Sequence, residues 1–332
     1  MRKYWPFVLL LAMVALPLLL GLAPNLDLGF FSYYYFLNLG FITFVFVAQA
    51  VAWNILGGYG GQISFGYSAF FGLGAYTTGV LWGMYHWPML LTFPVAGLVG
   101  VIFAIIIGLP TFRLTGPYFS IATLGIGEAM RVLMLNINSL GGASGMNLPT
   151  TIPSKMWFYY AGLILVSGTL AVSAWVRQSK FGLALFALNM DQNAAASLGV
   201  NVALYKNLAH ILGAFIVGMS GGLYATYFQY IHPDQVFGFQ ASISLVLMPV
   251  IGGVGTLWGP VLGGTIYYFL EDTLLSSLPS LHLLVYGVLL VLIIVLEPNG
   301  LLGMAARVQR WWRARRQEHT VAFPDAGKGA LP

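Results

Sequence analysis

The sequence predicts an all-α polytopic membrane protein with about eight spanning helices, a re-entrant or broken helix pair, and one short polar helix on the cytoplasmic side. Three observations carry this. Only 7% of the 332 residues are charged and 59% are apolar, against about 25% and 45–50% in soluble proteins. Apolar runs of roughly 20 residues, the length that crosses a bilayer, recur along the chain. Glycines break the apolar pattern in two places. Length alone would suggest two soluble domains, but composition overrides it.

The runs lie at 5–23, 33–56, 63–84, 88–109, 117–135, 157–176 and 207–228, followed by a glycine-interrupted stretch at 241–272 and a last run at 281–297. The first follows Met1, Arg2 and Lys3 and has the look of a secretory signal. Its length and the spans behind it favour a retained helix. Lysine and arginine placement sets the orientation. Arg2 and Lys3 precede the first run, Arg113, Arg177, Lys180 and Lys206 fall in alternate loops, and five arginines from Arg307 to Arg316 follow the last run. Both termini are therefore expected in the cytoplasm. Seven crossings bring 229–240 outside, and the basic tail requires 281–297 to run inward, so 241–272 should start and finish outside. Its halves, divided at Gly252 to Gly255, are each about 12 residues, too short to cross alone. The organisation expected is a membrane domain over 1–306, containing a cytoplasmic loop at 177–206, and a disordered basic tail over 307–332.

Several chemistries are excluded. Without cysteine there is no disulfide, thiolate metal site or cysteine nucleophile. The five histidines are scattered without metal-ligand spacing. The basic tail suits anionic lipid beside the last span, so membrane lipid is the partner expected there and nucleic acid is not.

The first glycine cluster reads NILGGYGGQISFGYSAFFGLGAY, from Asn54 to Tyr76, and the second IGGVGTLWGPVLGG, from Ile251 to Gly264. A dinucleotide fingerprint fails, because Gly72 and Gly74 lack the third glycine and a strand-to-helix setting. Two readings stay open: close helix packing through small residues, and discontinuous helices lining a pathway, where unwound backbone is tolerated in a membrane. On the second reading, Gln62, Ser64, Ser68 and Thr256 are the polar groups offered to a solute. The only ionisable pair read inside a span is Glu128 with Arg131, three apart on one helix face. It is either a structural ion pair near the outer end, or a gate or holder for a charged solute.

The loop RQSKFGLALFALNMDQNAAASLGVNVALYK, from Arg177 to Lys206, is too polar to span. Its pattern predicts a helix over 181–190, an Asp191 cap that accepts backbone N–H bonds, about two turns over 192–198, and a left-handed stop at Gly199. Such a capped helix suits either a groove on another protein or the membrane surface.

Four blocks carry a resemblance. LGGYGGQISFGYSAFFGLGAY (56–76), FRLTGPYFSIATLGIGEAMR (112–131), FGLALFALNMDQNAAASLGVNVALYK (181–206) and HPDQVFGFQASISLVLMPVIGGVGTLWGPVLGG (232–264) are similar to the branched-chain amino acid permeases of the LivM type. Within them NAAASLG, Asn193 to Gly199, resembles the coupling segment of ATP-binding-cassette importer permeases, with Asn193 where the general signature has glutamate. The resemblance implies a non-enzymatic transport subunit for branched-chain amino acids. Its implied partners are a homologous second permease, two cytoplasmic ATPases that hold ATP and Mg, and a periplasmic or lipid-anchored solute-binding protein. It assigns ATPase coupling to Asp191, Asn193, Ala194, Ala195, Gly199 and Lys206, while the pathway candidates stay those read from the residues themselves: Gln62, Ser64, Ser68, Glu128 and Thr256. Urea, short amides and aromatic acids are other solutes of this family shape. The chain has no Gly-x-x-x-x-Gly-Lys frame, the lone Gly327–Lys328 pair sitting outside one, so no cofactor is expected on it and the energy must come from partners.

Two other classes share parts of this pattern. GMSGG (218–222) matches Gly-x-Ser-x-Gly, and with GASG (142–145) resembles the rhomboid protease motif, with His282 as an imaginable base. An ion-coupled secondary transporter would also use broken helices.

Overall fold

The computed structural model describes residues 13–15, 17, 33–277, 284, 287, 288, 291, 300–304 and 307. The runs at 5–23 and 281–297, the tail over 307–332 and His282 lie wholly or largely outside these residues. Among the described residues six helical stretches are long and apolar enough to cross a membrane: 33–59, 89–111, 117–136, 155–178, 202–228 and 233–252. The protein is an all-α polytopic membrane protein.

The chain begins with α1 (Tyr33–Asn54), which passes into one π-helical stretch (Ile55–Tyr59). An irregular stretch leads to α2 (Tyr67–Thr78), again followed by π-helical turns (Gly79–Met84). Next come α3 (Met89–Thr111) and α4 (Pro117–Asn136), then β1 (Met146–Asn147). Helix α5 (Lys155–Gln178) leads into the polar loop, which folds as α6 (Lys180–Met190) and α7 (Gln192–Ser197). Helix α8 (Val202–Phe228) is followed by β2 (Tyr230–Ile231), α9 (Pro233–Phe237), α10 (Phe239–Gly252) and α11 (Gly259–Ser277).

Small residues draw the central helices together. Helix α8 packs on α2 and α3, and a Cβ on Gly218 would stand 2.7 Å from the Ala96 carbonyl oxygen of α3 and 3.1 Å from Gly97. On its other side α2 brings Gly74 against the Gly218 backbone. This backbone proximity is what glycine packing provides in a membrane, where dispersion replaces the hydrophobic drive between helices. Aromatic rings fill the wider gaps: Phe41, Phe158 and Tyr227 join α1, α5 and α8, with centroids 4.5–5.6 Å apart.

The bundle has two polar ends. At one, β1 pairs antiparallel with β2, Met146 opposite Ile231, and Arg131 of α4 meets Asp234 of α9. Tyr35, at the start of α1, donates to Asp272 of α11 at 2.9 Å. The opposite end holds the end of α1 and the loop α6–α7. There the Asn54 amide donates to the Thr256 carbonyl at 2.9 Å, and the Gly255 N–H donates to the Asn54 side chain at 2.8 Å. Helices α10 and α11 therefore form a hairpin that starts and finishes at the Arg131 end and turns at the Asn54 end.

This corrects two details read from the sequence. The halves of the pair are 14 and 19 residues long, about 21 and 28 Å at 1.5 Å per residue, so the hairpin reaches the last turn of α1 instead of turning back at mid-depth. Helix α11 also continues to Ser277, past the apolar run. Glu271 and Asp272, at the very end of the run read as 241–272, lie within this helix, so Glu128 and Arg131 are not the only ionisable groups in the bundle. Apolar periodicity marked where α11 could not be read further, while packing against α1 and α10 carries it on.

Candidate coupling site and its connection to the glycine breaks

The polar loop is built from local capping. Ser179 accepts the Gly182 N–H at 3.2 Å and starts α6. Asp191 accepts the N–H groups of Asn193 and Ala194 at 2.8 and 3.0 Å and starts α7, meeting donors that a helix leaves free. Gly199 ends α7 with φ of +87°, a conformation natural to glycine, while the Val200 N–H returns to the Ala195 carbonyl at 3.1 Å. Asn193 and Ala194 face outward, whereas Ala195 is buried. Met190 and Leu198 flank α7 with relative exposures of 91% and 86%, two apolar knobs beside a small-residue surface.

Under the loop lies a chain of amide contacts. Lys206 is buried at 1% exposure and donates to Gln192 Oε1 at 2.9 Å. Gln192 Nε2 in turn donates to Gln62 Oε1 at 3.4 Å. The Asn189 amide donates to the Gly58 carbonyl at 3.0 Å, a group freed where the π-helical turn departs from regular α geometry. Asn54, one turn earlier, holds both Gly255 and Thr256 of the second break. The Thr256 hydroxyl donates to the Gly253 carbonyl at 2.8 Å and accepts the Gly259 N–H at 2.9 Å, capping α11. A Cβ on Gly58 would sit 2.6 Å from the Gly255 nitrogen. The two glycine breaks touch each other, and the polar loop touches the first.

The other pathway residues named from the sequence lie apart. Ser64 is buried, its hydroxyl accepting the Gly66 N–H and its carbonyl the Trp53 indole N–H at 2.7 Å. Ser68 hydrogen-bonds Ser242 at 2.7 Å, joining α2 to α10. Glu128 lies at the opposite end, where Arg131 donates to both its oxygens and to Asp234. The five residues thus occupy four places. Gln62 belongs with the coupling loop, Thr256 with the hairpin turn, Ser64 and Ser68 with helix junctions, and Glu128 with an ion cluster. Ser220, centre of the Gly-x-Ser-x-Gly match, is buried in α8 and its hydroxyl donates to the Val217 carbonyl at 2.7 Å.

Sequence reasoning missed Asn54, Gln192 as the bridge between Lys206 and Gln62, and a cavity walled by Gln49 and Glu271. The signal for Asn54 was present: an amide in an apolar run, beside glycines, must find partners because a bilayer offers none.

Residues 35–294 match the protein family described as "Branched-chain amino acid transport system / permease component". The high-affinity branched-chain amino acid transport system permease protein LivM of Escherichia coli is 29% identical over 297 residues, covering 79% of this chain and 69% of that protein. The probable LivM permease of Methanocaldococcus jannaschii is 25% identical over 64% of this chain and 68% of its own. The LivH permease of Escherichia coli is 28% identical over 46% of this chain and 48% of its own. No solved structure matches. A match over most of the chain, on a bundle of membrane-length helices, places this protein in the branched-chain amino acid transport system permease family.

Proposed function

We propose that the chain is the membrane-spanning permease subunit of an ATP-binding-cassette importer that carries branched-chain amino acids across the cytoplasmic membrane by alternating access. One observation carries the coupling: a capped helix, α7, with an exposed small-residue face and two apolar knobs, in a loop hydrogen-bonded beneath to the first of two helix breaks that touch each other. A partner pushing α7 moves Gln192, and with it Lys206 and Gln62. The Asn54 end of the bundle is then cytoplasmic and the Arg131 end faces outside, with both termini inside. Two ATPase subunits holding ATP and Mg dock on α7 and its counterpart in a homologous second permease, and a solute-binding protein meets the Arg131 end. Similarity of this one chain to both LivM and LivH supports pairing with a homologue. The chain binds no cofactor and catalyses no reaction itself.

The test is reconstitution with the neighbouring-gene ATPases, second permease and binding protein. Leucine uptake should require ATP and stop on its depletion; uptake that follows an ion gradient instead would overturn the reading.

Lys206 gives a sharper result. Its buried ammonium has one neutral acceptor among the described residues, and an imperfectly paired buried charge costs stability. Lys206→Met should leave the thermal midpoint of the purified permease unchanged or higher. Uptake should fall about tenfold, equivalent to about 1.4 kcal/mol of coupling. Parallel melting and uptake assays separate the two effects.

A further inference from the structure

A cavity of about 440 Å³ lies between α1, α2, α8, α10 and α11, bordered at one side by α9. That volume is within the range of small-molecule sites. None of Gln62, Ser64, Ser68, Glu128 or Thr256 is on its wall. Phe46, Phe71 and Leu245 give it an apolar side, and Gln49, Gln240 and Glu271 a polar one.

Two wall groups are unpaired. Gln49 is 2% exposed, and its Nε2 has no acceptor among the described residues. Glu271 Oε2 is buried with no donor among them. The second acid on the wall, Asp234, is held by Arg131, and Asp272, next to Glu271, accepts from Tyr35. Glu271 is left without a cationic partner among the described residues. A buried donor or acceptor without a partner costs about 1–3 kcal/mol, more when charged. An acid inside a membrane bundle that is kept despite this cost marks a path for a solute or ion. Gln49, with a donor that lacks an acceptor, and Glu271, with an oxygen that lacks a donor, are both on the wall of this cavity.

We infer that this cavity is a solute site that takes a small zwitterion with a compact aliphatic body, its ammonium on Glu271, its carboxylate on the Gln49 amide, and its side chain against Phe46, Phe71 and Leu245. The assignment rests on the importer reading above and adds to it a place and a charge pattern. It also separates solutes. A neutral amide has no ammonium to engage Glu271, whereas an aliphatic amino acid satisfies both unpaired groups at once.

The chain holds no cysteine, so Ala241→Cys, on the cavity wall, gives this chain a single thiol, whose modification is read on this chain within the reconstituted complex. A cationic methanethiosulfonate should modify it about tenfold faster than an anionic one of similar size, because a carboxylate-lined cleft concentrates cations. Adding Glu271→Gln should bring the two rates together. Leucine with its binding protein should slow modification. In uptake, Glu271→Gln should lose about tenfold or more, as expected for a lost charged hydrogen bond. Glu271→Asp should retain part of it, with equal recovery of assembled complex as the control for folding. Equal rates for the two reagents in the chain that keeps Glu271, or wild-type leucine uptake by Glu271→Gln, would overturn the assignment. If the reagent preference and its loss are seen but the wild-type complex takes up no leucine, the cavity stands and the importer reading falls.

Discussion

Asn54→Leu is expected to abolish transport and to lower the thermal stability of the permease more than any other single change in the breaks. Asn54 is fully buried and its one amide serves two backbone groups of the hairpin turn, the Gly255 N–H and the Thr256 carbonyl. Leucine has similar size and no polar atom, so both groups, half-buried at the hairpin turn, lose their partner. At about 1–3 kcal/mol for each unsatisfied group when fully buried, the cost has an upper bound of about 2–6 kcal/mol, which would be a large share of a typical total stability. The glycines leave no slack: Gly58 lies against Gly255 so closely that a methyl group has no room. Thermal melting of the purified chain and ATP-driven uptake are the two measurements. A variant that melts and transports like the wild type would show that the contact between the breaks is dispensable. Asn54→Asp should fall between, keeping the acceptor for Gly255 and losing the donor to Thr256.

Ala194→Arg should remove transport with little change in stability. Ala194 is exposed on α7, and its N–H already bonds the Asp191 cap, so the backbone geometry survives the substitution. A long cationic side chain between the Met190 and Leu198 knobs changes the surface offered to a partner without touching the core. Uptake is expected to drop about tenfold or more, in the range of a lost interface anchor, and ATPase subunits should no longer co-purify. Ala195→Arg behaves differently. That side chain is buried, so the loop itself should unfold, and the midpoint should fall together with uptake. If Ala194→Arg leaves uptake intact, α7 is not the surface on which force is applied.

Much of this was legible in the chain. Composition and run lengths announced the membrane bundle, because a bilayer demands about 20 apolar residues per crossing. The start, cap and stop of α7 could be read from Asp191, the alanines and Gly199, because helix capping is set by neighbouring residues and needs no distant partner. The site was less legible. Gln62 and Thr256 stood out as polar groups beside glycines, but their partners, Gln192 and Asn54, are 130 and 202 residues away along the chain. Glu271 sat unnoticed at the edge of an apolar run, since hydropathy does not show whether an acid at a run's end meets water, a cation or an empty wall.

The sequence by itself determined the solvent this protein lives in, the places of most of its long helices, and the local geometry of the polar loop, all properties of period, length and nearest neighbours. Only the tertiary structure decided that the two glycine breaks touch, that Lys206 is buried under α7, and that Gln49 and Glu271 share a cavity. Those are contacts between residues far apart in the chain. Their energies depend on which buried donor is left facing which acceptor, and helix packing fixes that pairing.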